Sequence, residues 1–311
     1  MPPDTDKGSQ MLLGAAGFHA GDWLTFNTQI ARQAAEIGLT ALNLRVNDPE
    51  NAREIDIGRI KRTFADNGLV VGQTNGNYGG GLVSDDDGER TRAIKFMKRM
   101  CNLTRRLGAP DTYLRPGSMN KRGAWLPHPQ NRTPAVFDRL VDSARQICAV
   151  ASNEGVRVAV EGGVVSPLYS ARRVRDFIDA VGSKSLGFNQ DPVNFIGTVE
   201  DAFDTTRVLN EFFDLLGDVT FGAHTKDFRL LDALLPHFEE VEIGTGMLDH
   251  KTFLTRMQQA CPNGHVLIEH IPQEKFGPAF KVVMSLSNAA GIKWDRPKGA
   301  VNPNTAGPGT P

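Results

Sequence analysis

The chain has 311 residues, of which 40% are hydrophobic, and a formal net charge of −1. That length accommodates two ordinary domains or one large barrel, and the near-neutral balance gives no electrostatic footprint for nucleic acid or an acidic membrane. No apolar run approaches the roughly 20 residues of a membrane-spanning helix, the first residues lack the apolar core of a secretion signal, and Cys101, Cys148 and Cys261 have no CxxC spacing, so neither a disulfide frame nor a thiolate metal site is expected and a cytoplasmic protein is.

In chain order, Met11–Ala16 reads as a first strand. Strand-like runs then alternate with helix-sized segments: Thr40–Val46, Leu69–Gln73, Thr112–Arg115, Val156–Val160, Leu186–Gln190, Val219–Ala223 and His265–Ile268. Eight helix-like segments end at glycines, namely Gly38, Gly68, Gly108, Gly155, Gly182, Gly217, Gly264 and Gly291. Glycine there permits the left-handed residue that closes a last turn. Ile30, Ala34 and Ile37 share one helix face, as do Phe137, Leu140, Val141 and Ala144, and Thr133-Pro134 has the form of a helix start. Eight strands alternating with eight helices predict a (β/α)₈ TIM barrel of the α/β class, in a single domain over residues 11–295. Residues 1–10 and the Pro/Gly/Asn-rich stretch 296–311 read as tails. A doubly wound open sheet rarely needs eight units, and no GxGxxG follows the first strand. Two long loops are expected, at Pro116–Arg132 after the fourth strand and at Phe228–Leu248 after the seventh.

Four hard ligand types close four successive strands: Glu161, Asp191, His224 and Glu269. In a closed parallel barrel all strand ends meet on one face, so these side chains are expected to converge. Any one of them alone reads as a helix cap or a solvated loop residue. Together, three carboxylates would repel and raise one another's pKa, a conflict that a divalent cation removes. An oxygen-rich set with one nitrogen suits Mn²⁺ foremost, with Mg²⁺, Co²⁺ and Zn²⁺ as alternatives. Such an ion can polarise a sugar carbonyl, and Glu161 and Glu269 are the pair expected to remove and return the proton beside it.

The pattern resembles the sugar phosphate isomerase/epimerase superfamily, the xylose isomerase-like TIM barrels. The resemblance runs from about Met11 to Ile292 and rests on Val160-Glu161, Gln190-Asp191, His224-Thr225-Lys226-Asp227, Gly244-Thr245-Gly246-Met247-Leu248-Asp249 and Ile268-Glu269. It implies one divalent metal on Glu161, Asp191, His224 and Glu269, with the two glutamates as acid/base pair. Many members carry a histidine where this chain has Asn194, which can bond a hydroxyl but not transfer a proton. Ketose epimerases of the superfamily carry an arginine at the position of Leu230; here Arg229 stands one place earlier. The segment Arg115-Pro116-Gly117-Ser118 with Trp125-Leu126-Pro127-His128-Pro129 is similar to the large subunit of C-glycoside deglycosidases, which implies a lyase acting on a 3-oxo-glycoside.

Further residues carry two readings each. Lys226 and Asp227 form either a surface ion pair or a support for His224 and a substrate contact. Arg115 is either a structural arginine or a binder of substrate oxygens. His19 and Asn75 close the first and third units as loop caps or polar substrate contacts. Trp125 and His128 are a loop plug and an exposed ring, or else a lid in which Trp125 faces sugar and His128 moves a proton. His270 is expected to point away from Glu269 by strand alternation, and His237, His250 and His265 to lie on the surface. The functional expectation is a metal-dependent isomerase or epimerase working through an enediolate on a sugar. The rivals are an oxo-glycoside lyase or inosose dehydratase, an abasic-site endonuclease and a non-catalytic sugar-binding barrel. The endonuclease lacks its extra histidines on the second and third strand loops, and the intact ligand set argues against a barrel without chemistry. No nucleic-acid or membrane partner is expected. The partners foreseen are a small sugar or glycoside and further copies of the chain, or a small β-rich subunit in the deglycosidase case.

Overall fold

The structure, a computed structural model, describes residues 10–295; the tails expected at 1–10 and 296–311 lie outside them save for Gln10. The eight expected strands are present: β1 (Leu12–Ala15), β2 (Ala41–Val46), β3 (Val70–Gly76), β4 (Asp111–Leu114), β5 (Arg157–Val160), β6 (Leu186–Gln190), β7 (Thr220–Thr225) and, last in the chain, β10 (His265–Ile268). They close into one parallel barrel in the order β1-β10-β7-β6-β5-β4-β3-β2. They are short and their residues are almost all buried, as strands covered on both faces must be.

Helices separate the strands: α1 (Thr28–Ile37), α2 (Glu54–Asp66), α3 (Asp87–Leu107), α4 (Pro134–Glu154), α5 (Ala171–Val181), α7 (Thr205–Leu216), α8 (His250–Ala260) and α9 (Phe276–Ala289), with one short extra helix, α6 (Val199–Phe203). The caps explain where they stop and start. Asn27 Oδ1 accepts from the N–H groups of Gln29 and Ile30 to open α1, and Gly38 closes it with a φ of 102°. Gly217 (φ −58°) and Gly264 depart from the expected pattern, for α7 runs directly into a 3₁₀ turn and α8 is closed at Cys261. Pro134 opens α4, but the Thr133 hydroxyl donates to the carbonyl of Gln130 and caps nothing.

The segment Phe228–Leu248, expected as a loop, holds an antiparallel hairpin of β8 (Asp227–Leu230) and β9 (Phe238–Val241). Phe228 is buried in the core, Arg229 pairs across with Glu239, and both strands are too short for alternation to stand out. Of the histidines expected on the surface, His250 and His265 are buried: His250 meets Asp227, and the His265 ring packs against Gly222 with Asp111 3.9 Å away.

Candidate functional site

The strand ends divide the barrel mouth into two halves. β5, β6, β7 and β10 are consecutive neighbours, and they carry Glu161, Asp191, His224 and Glu269. The other four strands, β1 to β4, carry His19, Asn43, Arg45, Asn75 and Arg115 on the same cavity. This cavity of 630 Å³ is lined by Glu161, His224 and Glu269 on one side and by that polar, partly cationic wall on the other. Asp191 lies behind the lining, fully buried.

Glu161, Asp191 and His224 offer ligand atoms that all lie within 4.8 Å of one another. His224 Nδ1 stands 3.1 Å from Glu161 Oε2 and 2.8 Å from Glu269 Oε2, aligned for a hydrogen bond to neither. Two donors at right angles on an ion with bonds of about 2.1 Å lie about 3 Å apart, so these separations suit neighbouring ligands. Asp191 Oδ1 is buried without a hydrogen-bond partner. A buried polar atom left unpaired is costly, and a cation is the partner that the surrounding oxygens and imidazole would hold. The donor set therefore fits one hard divalent ion.

Neighbours fix the other lone pairs. Asn194 Nδ2 donates to Glu161 Oε1 (2.8 Å) and to Asp191 Oδ2 (2.7 Å), so the asparagine clamps two carboxylates. Tyr113 OH donates to Glu161 Oε1 at 3.2 Å, and Asn189 Nδ2 to Glu161 Oε2 at 3.0 Å. Lys226 is buried, not a surface residue, and its Nζ donates at 2.7 Å to both Asp191 Oδ2 and Glu269 Oε1.

The electrostatics follow from this crowding. Burial pushes the Asp191 carboxyl well above its ordinary value; Lys226 opposes this, while Glu161 and Glu269 add to it. Burial would raise Glu269 too, but His224 and Lys226 beside it hold it well down. Burial would lower His224 and Lys226, yet the surrounding carboxylates raise both well above their usual values. The cluster is short of positive charge, which is the condition a bound cation would relieve.

Asp227 does not line the cavity. Its carboxylate accepts from the backbone N–H groups of Phe228, Gly244, Gly246 and Leu248, at 2.9–3.1 Å, and from His250 Nε2 at 3.1 Å. A Cβ at Gly246 would run into Asp227 Oδ1 and the Phe228 carbonyl. The His-x-Lys-Asp and Gly-x-Gly-x-Leu-Asp segments are thus two halves of one structural tie. His128 also lies away from the cavity lining; its Nδ1 accepts from Gln130 N at 3.3 Å and caps the turn Pro129–Arg132. Trp125 of the same loop does line the cavity.

On the opposite wall His19 Nε2 is bonded to Thr25 Oγ1 at 2.7 Å, Asn75 Oδ1 is buried without a partner, and Arg115 lies 4.9 Å over the Tyr78 ring. His270 departs from expectation: it lines the cavity with Nε2 3.7 Å from Glu269 Oε1, while Nδ1 meets both Glu240 oxygens at 3.0 Å. Its φ of 57° breaks the strand alternation that would have turned it away. Sequence reasoning passed over Arg45, Tyr113, Gln73, Asp111 and Asn189. Their signal was polar side chains inside short apolar strands, where a barrel interior has no water to receive them.

A family model described as xylose isomerase-like TIM barrel matches residues 31–285. Among solved structures, a xylose isomerase domain protein from Planctomyces limnophilus is 19% identical, with a TM-score of 0.69, covering 92% of this chain and 99% of that one. A xylose isomerase-like TIM barrel protein from Mycobacterium smegmatis, in complex with magnesium, is 14% identical with a TM-score of 0.67, covering 90% and 96%. The 3-keto-D-glucoside 4-epimerase of E. coli is 18% identical with a TM-score of 0.67, covering 89% and 100%. No curated protein matches the chain. The barrel topology, the strand-end cluster and the family match over most of the barrel lead to one conclusion: the chain belongs to the xylose isomerase-like TIM barrel family.

Proposed function

We propose that this chain is a divalent-metal-dependent sugar isomerase or epimerase that moves a proton at the carbon beside a substrate carbonyl. One observation carries the reading: Glu161 and Glu269 approach the same imidazole nitrogen from two strands, at 3.1 and 2.8 Å, on the floor of a polar cavity. The 3-keto-D-glucoside epimerase among the structural neighbours has the same fold and supports the substrate class. When bound, Mn²⁺ or a similar ion supplies the positive charge that makes the neighbouring C–H acidic.

The chain's own residues do the rest. One glutamate takes the proton and the other returns it, each on its own side of the substrate. Asn194 and Lys226 hold the ligand carboxylates in place through the bonds described above. Arg45, Asn75, Arg115 and His19 face the cavity from the opposite half and bind substrate oxygens. A second reading rests on Trp125, an aromatic face at the cavity that suits the aglycone of an oxo-glycoside and hence a lyase outcome.

The test uses protein stripped by a chelator, reloaded with Mn²⁺, and incubated in D₂O with ketoses, inososes and 3-oxo-glycosides. Metal-dependent deuterium entry beside the carbonyl, with an epimeric or isomeric product, supports the proposal. Aglycone release instead moves the assignment to the lyase. Turnover that survives chelation, or no deuterium entry with any substrate, overturns both.

A further inference from the structure

Beneath the ligand cluster lies a second, wholly buried layer made of Gln73 on β3, Asp111 on β4 and Asn189 on β6; none of the three is exposed. Gln73 Oε1 lies 3.0 Å from His224 Nε2. Gln73 Nε2 donates to Asp111 Oδ1 at 3.0 Å and to Asn189 Oδ1 at 3.3 Å. Asn189 Nδ2 in turn donates to Glu161 Oε2 at 3.0 Å. Every bond in this chain has a definite direction. The Glu161 carboxylate only accepts, so Asn189 must present its NH₂ there and its carbonyl to Gln73. The Asp111 carboxylate also only accepts. Both groups facing the far end of Gln73 are therefore acceptors, which forces its NH₂ toward them and its carbonyl toward His224. A carbonyl cannot donate, so the imidazole must carry a proton on Nε2. That leaves the Nδ1 lone pair for the ion, and Nδ1 is the atom that Glu161 and Glu269 face.

Resting on the metal reading above, we infer that Gln73, oriented by Asp111 and Asn189, is a positioning residue that sets the tautomer of His224 and so sets the affinity of the site for its metal. The layer reaches the cluster at two points, His224 through Gln73 and Glu161 through Asn189, so it also fixes the spacing of two ligands. It contributes nothing to the cavity wall, since none of the three lines it. Its effect should therefore appear in metal binding, not in recognition of substrate. Partners that orient a ligating histidine commonly change metal affinity by roughly 10- to 100-fold.

The experiment measures the Mn²⁺ dissociation constant by electron paramagnetic resonance, with the melting temperature of the chelator-treated protein recorded alongside. Gln73→Met removes the acceptor while keeping the volume, and should weaken Mn²⁺ by roughly 10- to 100-fold. Asp111→Asn, nearly isosteric, leaves Asn189 alone to hold the direction of the Gln73 amide and should weaken it by at least a few-fold. The paired change Asp111→Asn with Gln73→Glu conserves charge and restores the direction between position 111 and His224, since the introduced amide donates to the introduced carboxylate, which in turn accepts from His224, while the contact at Asn189 Oδ1, the longest of the set at 3.3 Å, loses its donor. It should recover part of the lost affinity, a rescue that a merely structural role would not produce. If Gln73→Met fails to fold, the Asp111→Asn value decides. Wild-type binding with no weakening in these variants, or weakening that follows the metal-free melting temperature without rescue, overturns the inference alone. A wild-type chain that binds no Mn²⁺ overturns the metal reading and this inference with it.

Discussion

At the scale of single residues, the proposed chemistry rests on which buried atoms are left without partners. Glu161 and Glu269 each keep one oxygen turned toward His224 Nδ1 while the other is held by Asn194 or Lys226. Replacing either glutamate by glutamine keeps the shape but removes the proposed base. Glu161→Gln and Glu269→Gln should each lower kcat by roughly 10²–10⁴-fold and weaken Mn²⁺; full turnover in either variant, measured at saturating metal, removes the acid/base assignment. His128 stands differently. It caps its own turn and does not line the cavity, so His128→Ala should change kcat by less than about tenfold. A loss of several orders of magnitude with metal retained would place its ring on the substrate and favour the lyase.

At the scale of elements, the end of β7 does two tasks with adjacent residues. Lys226 turns into the carboxylate cluster and Asp227 turns away to hold the hairpin and the turn before α8. His250 and the backbone amides outweigh burial and keep the Asp227 carboxyl ionised below its ordinary range. Removing a buried, fully bonded carboxylate costs about 3–5 kcal/mol. Asp227→Ala should therefore lower the urea midpoint and open the segment between Val241 and Asp249 to proteolysis, with activity falling as Lys226 loses its seat. Unchanged cleavage there would show that the hairpin holds itself. The hairpin was not legible because its two strands are four residues each and gain their order from Asp227, a contact that no local pattern encodes.

At the scale of the whole molecule, the barrel interior carries charge where a smaller fold would carry only hydrocarbon. Burial lowers His265 from 6.5 to about 3 and raises Asp111 from 3.8 to about 6. The signs are opposite. Between about 6.5 and 3 the unfolded chain binds a proton at His265 that the folded chain refuses, so that stability falls as pH falls. Between about 6 and 3.8 the folded chain protonates Asp111 first, so that stability rises as pH falls. In metal-free protein the two largely cancel between pH 6 and 3.8. Removing one exposes the other. Relative to wild type, His265→Asn should gain stability on acidification from about pH 6 toward 4, by about 1.4 kcal/mol per pH unit. Urea unfolding across that range reads the slope; a constant offset between the two proteins would show that His265 is not held neutral.

The barrel and the gathering of four strand-end side chains were legible in the chain because both are periodic. Strand and helix alternate, and a parallel barrel sends every strand end to one face, so that the approach of Glu161, Asp191, His224 and Glu269 to one another follows from position alone. Burial and direction were decided by the tertiary structure. Lys226 became the bridge between two carboxylates, Asp227 a structural tie and His270 part of the cavity wall only once strands distant in sequence were brought together. The layer of Gln73, Asp111 and Asn189 is the clearest case. Asp111 and Asn189 lie 38 and 116 positions along the chain from Gln73, and a hydrogen bond's direction depends on what faces each atom. Hydrophobic period and turn chemistry are local properties, which a sequence states outright; the pairing of buried polar atoms is not, and the closing of the barrel alone determines it.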